Sequence, residues 1–165
     1  MANSALQEEI GKRNPFETLE QETALNLYRT MDHLQQDSCR LFQEHGLSGP
    51  QYNVLRILRG RSGEGRSCCE IAADMITRTP DITRLVDRLE LAGWVERRRD
   101  DDDRRVVRVR ITSAGRELLS QLDRPVLELH KRQLGHLSRD ELKELNRLLV
   151  KARRPEYQGG TSCSS

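Results

Sequence analysis

The residues of this chain whose types could do chemistry are concentrated in its middle third, and most of them are arginines. Ten Arg, no Lys and eight acidic residues lie between Thr77 and Arg110, although the whole 165-residue chain carries a net charge of only +2. The planar guanidinium group suits phosphate oxygens and the edges of bases, and short hydroxyl side chains serve the same contacts. Because the local net charge is small, an anion-binding surface requires a fold that separates the arginines from the carboxylates.

Two successive helices are predicted at the start of this region. The first runs from Cys68 to about Met75, with Ile71 and Ala72 as its core contacts, and the second opens at Thr79 with Pro80 at its first position. This order is typical of a helix-turn-helix, in which a short helix and a turn precede a second helix that begins with polar residues. The second helix of that motif enters the major groove of DNA. The alternative is an ordinary solvated helix face.

The second helix is amphipathic. The spacing of Ile82, Leu85, Val86 and Leu89 places them on one apolar face. The candidate DNA contacts are the polar residues at its amino end and on its other face: Thr77, Arg78, Thr79, Thr83, Arg84 and Arg88.

A β-hairpin is predicted directly after this helix. From Trp94 to Ile111 the apolar spacing changes from helical to alternating. The tip is strongly charged, with four consecutive aspartates, Asp100 to Asp103, before Arg104 and Arg105. Consecutive carboxylates on a turn diverge, and the Gly and Glu of a calcium loop are absent, so we expect a solvated tip and no metal site.

Longer helices are predicted on both sides of this region. Apolar or small residues recur at three- and four-residue steps from Ala24 to Leu41, and a helix from about Pro50 should bury Val54, Leu55 and Leu58. After Thr112 the helical period returns, with a kink or break expected at Pro125. A last helix starts at Ser138, which has the capping-box spacing to Glu141, as Ser67 has to Glu70. The expected fold class is therefore mainly α with a small β-hairpin: a winged helix-turn-helix domain plus terminal helices.

The stretch from Asp81 to Gly115 resembles the MarR family of bacterial and archaeal regulators. The wing signature of that family is matched by Asp103, Arg104, Arg105, Val109, Ile111 and Thr112, and the likeness extends over residues 19–153. It implies that Arg105 reaches the minor groove and that Asp103 braces the tip. It also implies a homodimer, with dimerisation helices at 17–47 and 113–153, a DNA-binding domain at 48–112, and flexible ends at 1–16 and 154–165.

Together these features predict a sequence-specific DNA-binding transcriptional regulator. We expect a ligand-responsive repressor that binds a palindromic operator in double-stranded DNA as a homodimer. The alternative is a winged-helix protein-interaction module, whose mark would be an apolar patch in place of Thr and Arg on the second helix. We expect no enzyme, cofactor or metal site, because no Ser, Cys or carboxylate motif accompanies the four histidines.

The cysteines offer a further alternative. Cys68 and Cys69 open a helix, where the helix dipole would lower a thiol pKa, so a thiol-based redox sensor stands beside a plain packing role. Cys39 is expected in the core. His33 and Tyr52 are candidates for the wall of a pocket for a small-molecule effector, against the alternative that both are ordinary helix-surface residues.

Cellular location is predicted from what the chain lacks. Its first 16 residues have neither a positively charged start nor a continuous apolar run, and no stretch approaches about 20 apolar residues. We therefore expect a cytoplasmic protein with no membrane partner.

Overall fold

The helices and strands follow one another in the predicted order. The computed structural model describes residues 4–60, 65–78, 81–99 and 106–154. The elements are α1 (Ala5–Glu9), α2 (Leu19–Gln43), α3 (Gly49–Gly60), α4 (Cys68–Asp74), α5 (Ile82–Leu91), β1 (Val95–Arg99), β2 (Val107–Ile111), α6 (Ser113–Leu134) and α7 (Arg139–Arg153). The predicted class, mainly α with a small hairpin, is confirmed. The chain divides into two compact units, and the break follows Val126, inside α6.

Helix starts are set by side chains that accept hydrogen bonds from first-turn amides. Ser67 and Ser138 form the predicted capping boxes with Glu70 and Glu141. The start of α5 differs from the prediction. Asp81 caps it by accepting from the Arg84 amide at 3.0 Å, and the first helical residue is Ile82. Aspartate is among the strongest N-caps, which places the start two residues later than expected. Thr79 and Pro80 lie outside the described residues.

The hairpin has a regular antiparallel register. Val95 pairs with Ile111, and Arg97 pairs with Val109, so these four side chains share one face of the ladder. The other edge of β2 is also used: Arg66 donates its amide to the Val109 carbonyl at 2.9 Å and accepts the Val109 amide at 2.7 Å. The segment before α4 is thereby fixed to the hairpin.

One apolar core joins the helix-turn-helix to the hairpin and to the start of α6. Its members come from every element between α2 and α6, and they include all three residues predicted for α3. The buried residues are Phe42, Leu47, Val54, Leu55, Leu58, Ile71, Ile82, Val86, Leu89, Val95, Val109, Ile111, Leu119, Leu122 and Val126.

Two expectations for these helices are wrong, and of the kink or break expected at Pro125 the break is excluded. Ala72 is exposed, because one step beyond the buried Ile71 the short helix α4 turns away from the core. Cys39 is exposed as well, because α2 buries only Phe42. Pro125 does not break α6, which runs from Ser113 to Leu134. The proline removes one backbone hydrogen bond, but the buried side chains of Leu122 and Val126 hold the helix on either side.

The helix α1 is an element that the sequence analysis does not predict. Its cap is Ser4, which accepts from the Gln7 amide at 3.3 Å, and Leu6 is only 3% exposed. The flexibility expected for residues 1–16 stays a prediction, within which residues 5–9 form a helix. Among the described residues, no helix is both long enough and apolar enough to cross a bilayer.

A bidentate ion pair joins α3 to α6. Arg59 donates to both oxygens of Asp123, at 2.8 and 2.6 Å, and Arg56 adds a contact at 3.5 Å. The hydrogen bonds from Arg59 lower the pKa of the Asp123 carboxyl from its ordinary value.

Gly115→Ala should destabilise the protein. A Cβ at this position would lie 2.3 Å from the Trp94 carbonyl oxygen and 2.9 Å from an Ile111 side-chain carbon. Overpacking against backbone costs about 1 to 3 kcal/mol of unfolding free energy. Gly60→Ala is the control, since its Cβ would meet nothing within 4 Å and alanine favours a helix. Urea unfolding at fixed protein concentration measures both. Equal stability of the two variants would contradict the close approach.

Asp123→Asn should lower the free energy of unfolding at pH 7 by about 0.5 to 1 kcal/mol, the range for a well-formed but partly exposed ion pair. The folded-state pKa of Asp123 is depressed, so its contribution is present above the unfolded pKa, roughly 3.9, and is lost as the pH falls through the lower folded value. Urea unfolding at pH 7 and at decreasing pH should show the two proteins converging. Glu128→Gln, which breaks an exposed pair with Lys131 within α6, is the control. A deficit at pH 7 no larger than the control's would refute the prediction.

Candidate nucleic-acid interface

The helix α5 presents its polar face to solvent because its apolar face is used by the core. Ile82, Val86 and Leu89 are at most 7% exposed, as predicted. On the outward side Thr83, Arg84 and Arg88 are all exposed. The core therefore fixes which way the polar side chains of α5 point.

Local contacts hold the amino end of α5 and the segment before it. The Arg84 side chain is 80% exposed and its Nε lies 2.9 Å from Asp81 Oδ2. Thr77 and Arg78, just before the helix, are also exposed. The amide of Ile76 donates to Asn53 Oδ1 at 2.9 Å, which ties this segment to α3. Of the predicted DNA contacts, the structure thus places five at or near the outward side of α5, and Thr79 lies outside the described residues.

The wing tip lies outside the described residues, and with it Asp103, Arg104 and Arg105. The described strands that lead to it are dominated by arginine, with Arg97, Arg98 and Arg99 on β1 and Arg108 and Arg110 on β2. Arg98 and Arg99 are exposed, and the other three are half-buried. The hairpin base is therefore a cationic element beside α5.

Arg97 is a residue of this region that the sequence analysis did not single out. It lies on β1, and its guanidinium contacts two carboxylates on α5, Asp87 at 2.6 Å and Glu90. A signal for it was present in the sequence, because the two-residue period places Arg97 on the same side of the strand as the buried Val95. A guanidinium on the buried side of the strand requires hydrogen-bond acceptors from the element that packs against it, which here is α5.

A second arginine, Arg66, holds α4. Its side chain is only 15% exposed and contacts Glu70 at 3.3 Å and Asp74 at 2.9 Å. Arg108 reaches Glu70 from the hairpin at 3.7 Å. Several carboxylates of the region are therefore paired with arginines inside the helix-turn-helix, which is the separation of charges that an anion-binding surface requires.

Cys68 does not have the environment that its position at a helix start predicted. Cys68 is half-buried, and burial raises the pKa of its thiol, the opposite of the expected lowering. Cys69 is exposed. A raised pKa reduces the thiolate that reacts with oxidants, so Cys68 fits the packing role. Among the described residues, no three or more His, Cys, Asp and Glu side chains are grouped to hold a metal ion.

The two candidates for an effector pocket lie in different surroundings. His33 is exposed on α2 and lines an open polar cavity of about 510 Å³ beside α1, together with Glu9, Asn26, Arg29 and others. Tyr52 does not line this cavity. Its ring stacks on Phe42 with centroids 4.4 Å apart, and burial raises the pKa of its hydroxyl. The structure therefore does not bring the two residues to one cavity.

Comparison with known proteins agrees with this architecture. The model of the MarR family matches residues 47–107, the stretch from the end of α2 to the start of β2. The HTH-type transcriptional repressor IacR of Pseudomonas putida is 32% identical over 123 residues, 74% of this chain and 72% of that protein.

Solved structures extend the likeness. The crystal structure of a MarR transcription factor from Planctomyces limnophilus is 47% identical, covers 82% of this chain and 98% of its own, and superimposes with a TM-score of 0.64. The S. aureus MepR–DNA complex, at 22% identity, shares the fold with a TM-score of 0.71 over 79% of this chain and 96% of its own. The chain has the same winged helix-turn-helix, and it belongs to the MarR family of transcriptional regulators.

Proposed function

We propose that this protein is a sequence-specific DNA-binding regulator that acts as a homodimer on an inverted-repeat operator. The proposal rests on the outward side of α5. Thr83, Arg84 and Arg88 are exposed there, while the opposite side of the helix is buried in the core. These are side chains that read base edges and bind phosphate. The MepR complex of the same fold contains DNA, which supports this use of the surface.

The proposed division of contacts assigns two grooves to two elements. Thr77, Arg78 and Thr79 with the outward residues of α5 contact the major groove, and Arg105 enters the minor groove with Arg104 beside it and Asp103 bracing the tip. The major groove distinguishes all four base pairs, whereas the minor groove chiefly offers negative potential. Specificity is therefore expected from α5 and affinity from the wing.

Dimerisation is proposed from helices whose large apolar side chains are left mostly exposed in the described chain. Only Phe42 is buried among the 25 residues of α2, and Leu27, Tyr28 and Met31 are 41%, 73% and 53% exposed. In α7 no residue is buried, and Leu148 is 47% exposed. Apolar helix faces of this length are usually covered in the working protein. A second copy of the chain supplies matching faces, in keeping with dimerisation helices at 17–47 and 113–153.

We further propose that the regulator is a repressor in the cytoplasm, where the chromosome of a bacterium or archaeon lies, and that a small molecule releases it from DNA. IacR, a relative by sequence, is named as a repressor. The cavity beside His33 is the candidate for the effector, and its polar wall suits a charged or hydrogen-bonding compound. A protein-interaction module is less well supported, because it would need an apolar patch on the outward side of α5. Among the described residues of this helix, the exposed large apolar side chain is Leu91, at its last position.

Met31→Glu should weaken the dimer by roughly 30-fold or more, because it places an unpaired charge in the proposed interface. Sedimentation equilibrium over a concentration series measures the dissociation constant. Gln36→Glu is the matched control, since it adds the same charge about 140° around α2. The dimer assignment would be wrong if both variants associate as the natural protein does.

Arg84→Ala and Arg105→Ala should impair DNA binding in different ways. Loss of a base contact by Arg84 should cost about 1 to 3 kcal/mol on a selected duplex and relax base preference at one position. Loss of Arg105 should weaken binding to specific and scrambled duplexes alike and reduce the salt slope by about 1.

Salt titrations on duplexes selected from genomic fragments test both variants. Arg13→Ala, which removes one exposed charge outside the proposed DNA-binding and dimerisation segments, is the control. If Arg105→Ala leaves affinity and slope unchanged, the wing does not contact DNA.

A further inference from the structure

We infer that Arg97 is a positioning residue of the DNA interface: it fixes the hairpin against α5 without contacting DNA itself. The inference rests on the proposed function, because the surface that it positions is the proposed DNA-binding surface. It assigns the residue a role that its position on an arginine-rich wing strand would not suggest.

The donors of Arg97 are used by α5. Nη2 lies 2.6 Å from Asp87 Oδ1 and 3.4 Å from the Thr83 carbonyl oxygen, Nη1 donates to Glu90 Oε2, and the backbone amide donates to Glu90 Oε1 at 3.1 Å. These contacts span two turns of the helix.

Burial separates Arg97 from its neighbours on the strand. Its side chain is 24% exposed, whereas that of Arg98 is 61% exposed and pairs with Glu96 on the same strand. A planar guanidinium has a limited set of donors in a fixed geometry. Three of the five N–H donors of Arg97, including both of Nη2, face Asp87, Glu90 and Thr83, so a phosphate could engage both terminal nitrogens only by displacing an existing acceptor.

The contacts also determine how DNA approaches α5. Asp87 is 54% exposed and lies on the helix beside Arg84 and Arg88, where a free carboxylate would repel phosphate. Pairing with Arg97 neutralises it. If charge alone mattered, removing the two carboxylates should strengthen DNA binding. If Arg97 acts by positioning, the same change should weaken specific binding. The two mechanisms therefore predict opposite signs.

The test is the double variant Asp87→Asn/Glu90→Gln in the full-length protein. Its matched control is Glu96→Gln, which neutralises a carboxylate on the same hairpin but outside the contacts of Arg97. Affinities are measured by fluorescence anisotropy for the best duplex selected from genomic fragments and for a scrambled duplex, across a salt series. Hydrogen exchange on the free proteins reports whether amides of α5 and β1 open more readily.

We expect the double variant to bind the selected duplex roughly tenfold more weakly, a factor typical of one coupled contact network. Its affinity for the scrambled duplex should be unchanged or higher, and exchange in α5 and β1 should be faster. Glu96→Gln should bind at least as tightly as the natural protein, with unchanged exchange. Arg97→Met added to the double variant, where it leaves no unpaired carboxylate, should change neither the remaining specificity nor the salt slope.

Tighter binding of the selected duplex by the double variant would overturn the inference, and so would unchanged exchange. A salt slope reduced by about 1 when Arg97→Met is added to the double variant would instead make Arg97 a phosphate contact. If the natural protein selects no duplex, the proposed function fails, and the exchange data alone still decide whether Arg97 holds the helix to the hairpin.

Discussion

Burial of one side of α5 is the constraint on which the rest of the structure depends. Ile82, Val86 and Leu89 pack into the same core as α3, the hairpin and the start of α6. A helix held by three buried residues over two turns cannot rotate without exposing them, at about 1.5 to 3 kcal/mol for each side chain. The outward direction of the polar residues, the place of the hairpin and the start of α6 all follow from that burial.

Charge is arranged around the same helix in two layers. The carboxylates Asp87 and Glu90 face the hairpin and pair with Arg97, while Arg84 and Arg88 remain on the exposed surface. The chain therefore presents exposed cationic groups without a large net charge, because several other arginines form ion pairs with its own carboxylates. Composition alone could not reveal this, because it counts a paired arginine and a free one alike.

Sequence periodicity predicted the elements well where each has one unambiguous apolar face. The three-residue core of α3, the apolar side of α5 and the alternation of β2 followed from spacing alone, and the Ser67 and Ser138 caps followed from local chemistry. The predictions failed where contacts between elements determine the local structure. The start of α5 shifted to Asp81. Thr79 and Asp81 are both residue types that can cap a helix, and only the folded geometry selects one of them.

The candidate site was predicted less completely than the fold. The exposed side chains of α5 could be identified by their face, but the partners of Arg97 lie seven and ten residues away, at distances that only the packing of β1 on α5 defines. The Cys68 thiol is a similar case. A helix-start argument considers only the helix dipole, whereas burial has the larger effect on its pKa and the opposite sign.

Both outer edges of the two-stranded sheet are hydrogen-bonded at its central residue pair, Arg97 and Val109. On β2 the amide and carbonyl of Val109 pair with Arg66, and on β1 the amide of Arg97 is taken by the Glu90 carboxylate. Unpaired edge strands are templates on which other chains add strands and aggregate. At these two positions the backbone groups are unavailable to another chain, so the exposed hairpin is protected there against adding strands from neighbouring molecules into a continuous sheet.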